Sequence, residues 1–133
     1  MYHTDTPNHV LYVYLIDPAT GDLGSREVLK QFPPGQGRPD GAAVDAEGCY
    51  WTALFASGRV VRLSPAGEVL AEVRLPVHWP TMVAFGGPDL KTLFVTSSRA
   101  NRSGEELAQY PLSGNLFAAL LDVVGVAEPE FAG

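Results

Sequence analysis

Short apolar or alternating runs recur from Tyr2 to Leu121, separated by joints rich in Gly, Pro, Asp and Ser, and no stretch carries a helical period of apolar positions. Period two with frequent turns predicts strands, at residues 2–4, 9–16, 26–32, 41–44, 50–55, 59–63, 69–75, 82–85, 92–96 and 115–121. The joints carry recognisable turn chemistry: Asp17-Pro18-Ala19-Thr20-Gly21, Asp45-Ala46-Glu47-Gly48, Ser64-Pro65-Ala66-Gly67 and Gly86-Gly87-Pro88-Asp89. The polar run from Arg99 to Glu106 reads as a solvated loop. The expected fold class is all-β.

The strands also repeat. Pro39-Asp40-Gly41 and Pro80-Thr81-Met82 each open a short apolar strand, and Asp40 and Thr81 lie 41 residues apart. Tyr2-His3-Thr4, Trp51-Thr52-Ala53 and Phe94-Val95-Thr96 form three equivalent aromatic-led strands. A repeat of roughly 40 to 50 residues with four strands per unit is the pattern of propeller blades. On that spacing the chain holds about three blades, the first without its innermost strand. Residues 1–133 then form one partial β-propeller, and the expectation is that an N-terminal half is absent. The equivalent positions of Trp51 and Phe94 predict packing between blades rather than stacking on a ligand.

Composition narrows the functions. A net charge of −6 with no Lys/Arg cluster argues against nucleic acid and against an anionic membrane as partner. The single cysteine, Cys49, sits among strand neighbours and reads as a small core residue. No N-terminal apolar segment with a basic flank marks a leader or a spanning helix, so the expected location is cytoplasmic. His3, His9 and His78 lack the spacing of metal ligands.

Several segments, in order, resemble one family. They are Asp17-Pro18-Ala19-Thr20-Gly21-Asp22-Leu23-Gly24, Pro39-Asp40-Gly41 with Val44-Asp45-Ala46-Glu47-Gly48, Gly58-Arg59-Val60-Val61-Arg62-Leu63, Leu93-Phe94-Val95-Thr96 and Pro111-Leu112-Ser113-Gly114-Asn115-Leu116-Phe117. The resemblance is to the gluconolactonase, senescence-marker-protein and luciferin-regenerating-enzyme group of six-bladed propellers, and it covers nearly the whole chain as that family's C-terminal half. It implies hydrolysis of a sugar lactone at a divalent cation (Ca, Zn, Mn or Mg) on the propeller axis, held by a Glu, an Asn and the Asp of the Pro-Asp-Gly motif. Only the last maps here, onto Asp40, which the resemblance makes both metal ligand and catalytic residue. With the other two ligands unmapped, the chain in isolation is expected to be inactive.

The residues support the same placement. Inner strands of a propeller line its axis, so side chains at their starts converge from different blades, and Asp40 and Thr81 are such a pair. A carboxylate there suits a hard or borderline cation and can take a proton from water. Thr81 is the expected substrate contact beside it. Asp5 ends an aromatic-led strand at the same sheet edge and reads either as a second substrate contact at the channel mouth or as a turn residue. The alternative function is a non-catalytic propeller fragment serving as a binding or assembly module. Open sheet edges predict self-association or pairing with an N-terminal half.

Overall fold

The computed structural model describes residues 1–128 as ten strands and one short helix. The strands are β1 (Tyr2–Asp5), β2 (Val10–Ile16), β3 (Leu23–Gln31), β4 (Arg38–Val44), β5 (Tyr50–Phe55), β6 (Arg59–Leu63), β7 (Val69–Arg74), β8 (Pro80–Gly86), β9 (Thr92–Ser97) and β10 (Leu116–Leu120), with α1 (Gly104–Gln109) between the last two. They form three antiparallel sheets, β1-β2-β3, β4-β5-β6-β7 and β8-β9-β10. The middle sheet is a complete four-stranded blade, and β4 lies between β1 and β8. By register of the repeats, β1 corresponds to β5 and β9, so the first sheet lacks an inner strand, as the spacing predicts. The fold is a partial β-propeller.

Two cores hold the blades together. Leu11, Phe32, Tyr50, Leu54, Val61 and Leu63 fill the space between the first and middle sheets. Trp51, Ala53, Val60, Val83, Leu93 and Val95 fill that between the middle and third. Alternate residues of β5 therefore face opposite cores, and this strand is buried on both sides. Each fully buried large apolar side chain contributes about 1.5–3 kcal/mol. The aromatic-led strands behave as the repeat predicts. Tyr2 packs tilted on Tyr50 with ring centroids 4.6 Å apart, and Trp51 meets Phe85 edge-on at 6.0 Å. Phe94 alternates with the buried Leu93 and Val95, so it occupies the matching, outward face of the third sheet.

Three features depart from the sequence reading. First, β4 and β8 begin earlier than the apolar runs suggest, so Asp40 and Thr81 lie within strands rather than before them. Proline tolerates this because Pro39 and Pro80 sit on innermost strands, whose far edge donates little to a ladder. Second, the run after Arg99 is not all loop. Ser103 caps α1 by accepting from Glu106 N while Glu106 accepts from Ser103 N, a reciprocal capping box. The helix is six residues long and buries no side chain, so it left no apolar period to detect.

Third, Asp45 is more than a turn residue. The turn forms as expected, with Gly48 N donating to Asp45 O at 2.9 Å. Its carboxylate, however, is fully buried and accepts from Trp51 Nε1 at 2.9 Å, Cys49 N at 3.0 Å, Glu47 N at 3.0 Å and Arg62 Nε at 2.7 Å. Arg62 also reaches Glu47, and Cys49 is a buried free thiol beside this network.

Candidate functional site

The innermost strands carry the same irregularity at the same place. Along β4, Pro39 opposes Leu54 and Ala42 opposes Thr52, so Asp40 and Gly41 together face the single residue Ala53. Along β8, Pro80 opposes Ser97 and Met82 opposes Thr96, which leaves Thr81 as the extra residue. Such a β-bulge turns a side chain out of the regular alternation and is common beside functional sites. Gly41 makes the close approach of the two strands possible. A β-carbon there would collide with Met82 Sδ and lie 2.7 Å from Thr81 O and 2.8 Å from Met82 Cα.

Asp40 opens into a recess of about 580 Å³, lined also by Tyr2, Thr4, Tyr50, Met82 and Glu128. Among the described residues its carboxylate enters no hydrogen bond or ion pair. Burial pushes its pKa above the usual 3.8, opposed by the charge of nearby Arg38. Thr4 Oγ1 and Tyr50 OH pair at 3.1 Å on one wall, and burial raises the Tyr50 phenol. Thr81 stands beside Asp40 across the Gly41 contact, its hydroxyl 2.8 Å from that of Thr96. Asp5 is set apart from this wall. Its two oxygens accept from Asn8 Nδ2 at 3.1 and 2.9 Å, which ties it into the β1–β2 turn.

The floor of the recess comes from a segment that the sequence pattern did not single out. Residues 124–126 run antiparallel beside the end of β4: Ala46 N donates to Val124 O at 2.8 Å, and Asp45 bridges Gly125. Gly125 is wedged against Phe85, where any β-carbon would overlap the ring. The chain then passes Val126 and Ala127 and brings Glu128 to the recess. No periodicity marks such an edge addition, because a single bridge needs no alternation.

A hard divalent cation takes six or more oxygen donors. Among the described residues no group of three or more His, Cys, Asp or Glu side chains is placed to hold one. Asp40, an unengaged carboxylate on a bulge, fits such an ion as a single ligand, and a complete donor set of side chains is not present among the described residues. Likewise, no helix among the described residues is long and apolar enough to cross a membrane.

Comparison with known proteins bears on this site. The SMP-30/gluconolactonase/LRE-like region matches residues 1–99. The chain is 62% identical to a 6-deoxy-6-sulfogluconolactonase of Pseudomonas putida, over 99% of this chain and 45% of that protein. It is 36% identical to a pentonolactonase of Haloferax volcanii, over 98% of this chain and 45% of the relative. Among solved structures, a calcium-binding regucalcin of Agrobacterium tumefaciens superposes with a TM-score of 0.90 at 33% identity, covering 96% of this chain and 44% of that one. The chain thus spans about half the length of the curated relatives it matches. With its three blades, its bulged inner strands and this match along most of its length, the chain belongs to the SMP-30/gluconolactonase/LRE-like family.

Proposed function

We propose that this chain supplies the Asp40 corner of a metal-dependent lactone hydrolase acting on a sugar lactone. The observation that carries the reading is the Asp40 carboxylate, unpaired on its bulge and open to the recess, in a chain similar to two lactonases and to a calcium-binding protein. A bound divalent cation would polarise the lactone carbonyl or acidify a water. Asp40 would be one residue holding it and would take a proton from the water that attacks the carbonyl carbon, returning that proton to the ring oxygen as the acyl C–O bond breaks. The Thr4–Tyr50 hydroxyl pair lines the recess, and its hydroxyls are donors and acceptors of the kind that pair with a sugar; Thr81, paired to Thr96, lies outside that lining.

The test is hydrolysis of glucono-δ-lactone by the protein with Ca, Mn, Zn or Mg added. Ring opening is expected to depend on the metal and to fall by about 100-fold or more in Asp40→Asn, the scale of a lost acid–base group. Unchanged turnover in Asp40→Asn removes Asp40 from the site.

A second expectation concerns assembly. Leu116 and Leu120 are exposed on the third sheet, and Ile16, Leu23 and Val28 on the first. These apolar faces and the free inner edge of β1 predict that the 133-residue chain alone self-associates at low micromolar concentration, or pairs with an N-terminal half when one is supplied. Sedimentation velocity reads this directly. A monodisperse monomer with a sharp melt contradicts it.

A further inference from the structure

The main chain of β1 decides what the recess beside it can hold. Met1 N donates to Tyr14 O and Tyr14 N to Met1 O, each at 2.8 Å. Antiparallel partners alternate, so His3 and Asp5 turn their amides and carbonyls to β2 as Met1 does, while Tyr2 and Thr4 turn theirs to the other side. No group among the described residues meets them there. Tyr2 and Thr4 are also the residues that β1 contributes to the recess, and the small or apolar side chains of Ala42, Val44 and Val126 line it further in. Two main-chain donors and two acceptors thus border an apolar wall.

The other two sheets show what lies along such an edge. Turn lengths and registers make Tyr2 the counterpart of Trp51 and Phe94, and Thr4 that of Ala53 and Thr96. In both sheets an inner strand pairs there, and in both an alanine stands opposite the aromatic residue: Ala43 opposite Trp51, Ala84 opposite Phe94. The two inner strands agree place by place, Pro39-Asp40-Gly41-Ala42-Ala43-Val44 against Pro80-Thr81-Met82-Val83-Ala84-Phe85. Their shared pattern is proline at the entry, a polar residue at the bulge, and then apolar residues with alanine in the fifth place.

We propose that the recess is a docking site for one extended strand of another polypeptide segment, which adds antiparallel to β1 through Tyr2 and Thr4, carries this proline–polar–apolar pattern and sets its alanine against Tyr2. Main-chain bonds supply the affinity and the side-chain pattern supplies the selection. Alanine suits its place because Tyr2, packed on Tyr50 at 4.6 Å, already fills the space before it. The bulge of such a strand falls opposite Thr4. Thr6 Oγ1 donates to Pro39 O at 2.8 Å, which sets that end of β1 beside Asp40, so the docked strand covers the Tyr2–Val44 end of the recess and leaves the Asp40 end open. The chain's own inner strands are engaged elsewhere, β4 with β5 and residues 124–126, and β8 with β9. The curated relatives, of which this chain spans about half, carry further chain from which such a strand can come. The inference stands on the main chain of β1 and on the repeat, independently of the lactonase reading.

The experiment adds a labelled peptide with the sequence of residues 38–45 to the chain at submicromolar concentration and follows anisotropy and hydrogen exchange. The peptide is expected to bind saturably and to slow exchange at the amides of Tyr2 and Thr4, while those of His3 and Asp5, already in the ladder, stay as they were. N-methylation of the peptide at its Ala43 place removes the donor to Tyr2 O and is expected to weaken binding about tenfold, the scale of one hydrogen bond whose acceptor is left buried. Leucine in that place weakens it through bulk. In the chain, Thr4→Pro takes away an edge amide without removing a bond from the β1–β2 ladder and also weakens binding, whereas Leu120→Ser on the third sheet leaves it unaltered. A scrambled or N-methylated peptide that binds equally well, protection along β10 in place of β1, or no binding at millimolar peptide overturns the proposal. Protection of Tyr2 and Thr4 that grows with chain concentration and shuts the peptide out makes a second copy the occupant, and overturns it as well.

Discussion

Asp45→Ala is expected to destabilise the fold by about 3 kcal/mol, the low end for removing one partner of a buried ion pair. In a chain of this size that lowers Tm by roughly 10 °C. The cause is what the substitution leaves behind. Arg62, whose side chain is 12% exposed, keeps only Glu47, while Trp51 Nε1 and the Cys49 amide lose their acceptor in the interior and the half-buried Glu47 amide loses its own. Asp45→Asn keeps the shape and part of the bonding, so it falls between the wild type and the alanine variant. Urea denaturation of the three proteins, followed by tryptophan fluorescence, ranks them.

The same residue sets an acid limb of stability. Burial pushes the Asp45 pKa up, but hydrogen bonds from Arg62, Trp51 and Cys49, with the charge of Arg62, outweigh it and hold the carboxyl below its usual 3.8. The unfolded chain therefore takes up this proton at a higher pH than the folded one. The contribution is complete above about pH 4 and drains as pH falls through the lower folded-state value. The denaturation midpoint of Asp45→Asn is thus expected to vary less with pH than that of the wild type over this acid range.

Gly41→Ala is the second large effect, and its reason is space rather than backbone conformation. The added methyl meets the Thr81 carbonyl at 2.7 Å and Met82 Cα at 2.8 Å, and these are main-chain atoms that cannot swing aside. Overpacking of this kind costs about 1–3 kcal/mol. It also pushes β4 away from β8 beside Asp40, so any metal affinity resting on that carboxylate is expected to drop more than the stability does. Gly48→Ala is the control. Its φ of +78° carries a strain of about 1 kcal/mol, but nothing lies within 4 Å of the new methyl and Asp40 stays in place. Calorimetry and metal titration of both variants separate the two costs. Equal effects from the two substitutions would show that the strand contact has no special role.

Much of this architecture is legible in the residue pattern because blades are local objects. A strand such as β6 pairs with its sequence neighbours β5 and β7 through tight turns, so alternation and Gly-Pro punctuation locate it without knowledge of anything distant. The 41-residue spacing of Asp40 and Thr81 survives in the structure as two matching bulges for the same reason. What the pattern conceals is whatever depends on separation in the chain. Arg62 comes to Asp45 across 17 residues, and an Asp-x-x-Gly turn looks alike whether its carboxylate faces water or the core. Gly125 reaches Asp45 from 80 positions away. Arg38 and Arg102 share Phe55 only once two blades have packed. Helix α1 escaped because its signal is a cap and not a period: Ser103 and Glu106 specify the first turn, and no buried face follows.

The repeated bulge has an evolutionary consequence. Rotation from one blade to the next presents the same socket, filled by an acid on β4 and by an alcohol on β8. The socket belongs to the backbone, whereas its occupant touches neither of the two cores. A single codon change can therefore exchange the chemistry facing the axis while the blade beneath folds as before. Relatives that keep the lactone reaction should therefore keep the acid on β4 and vary the occupant of the β8 socket, while Trp51 and Asp45 are held by the fold itself.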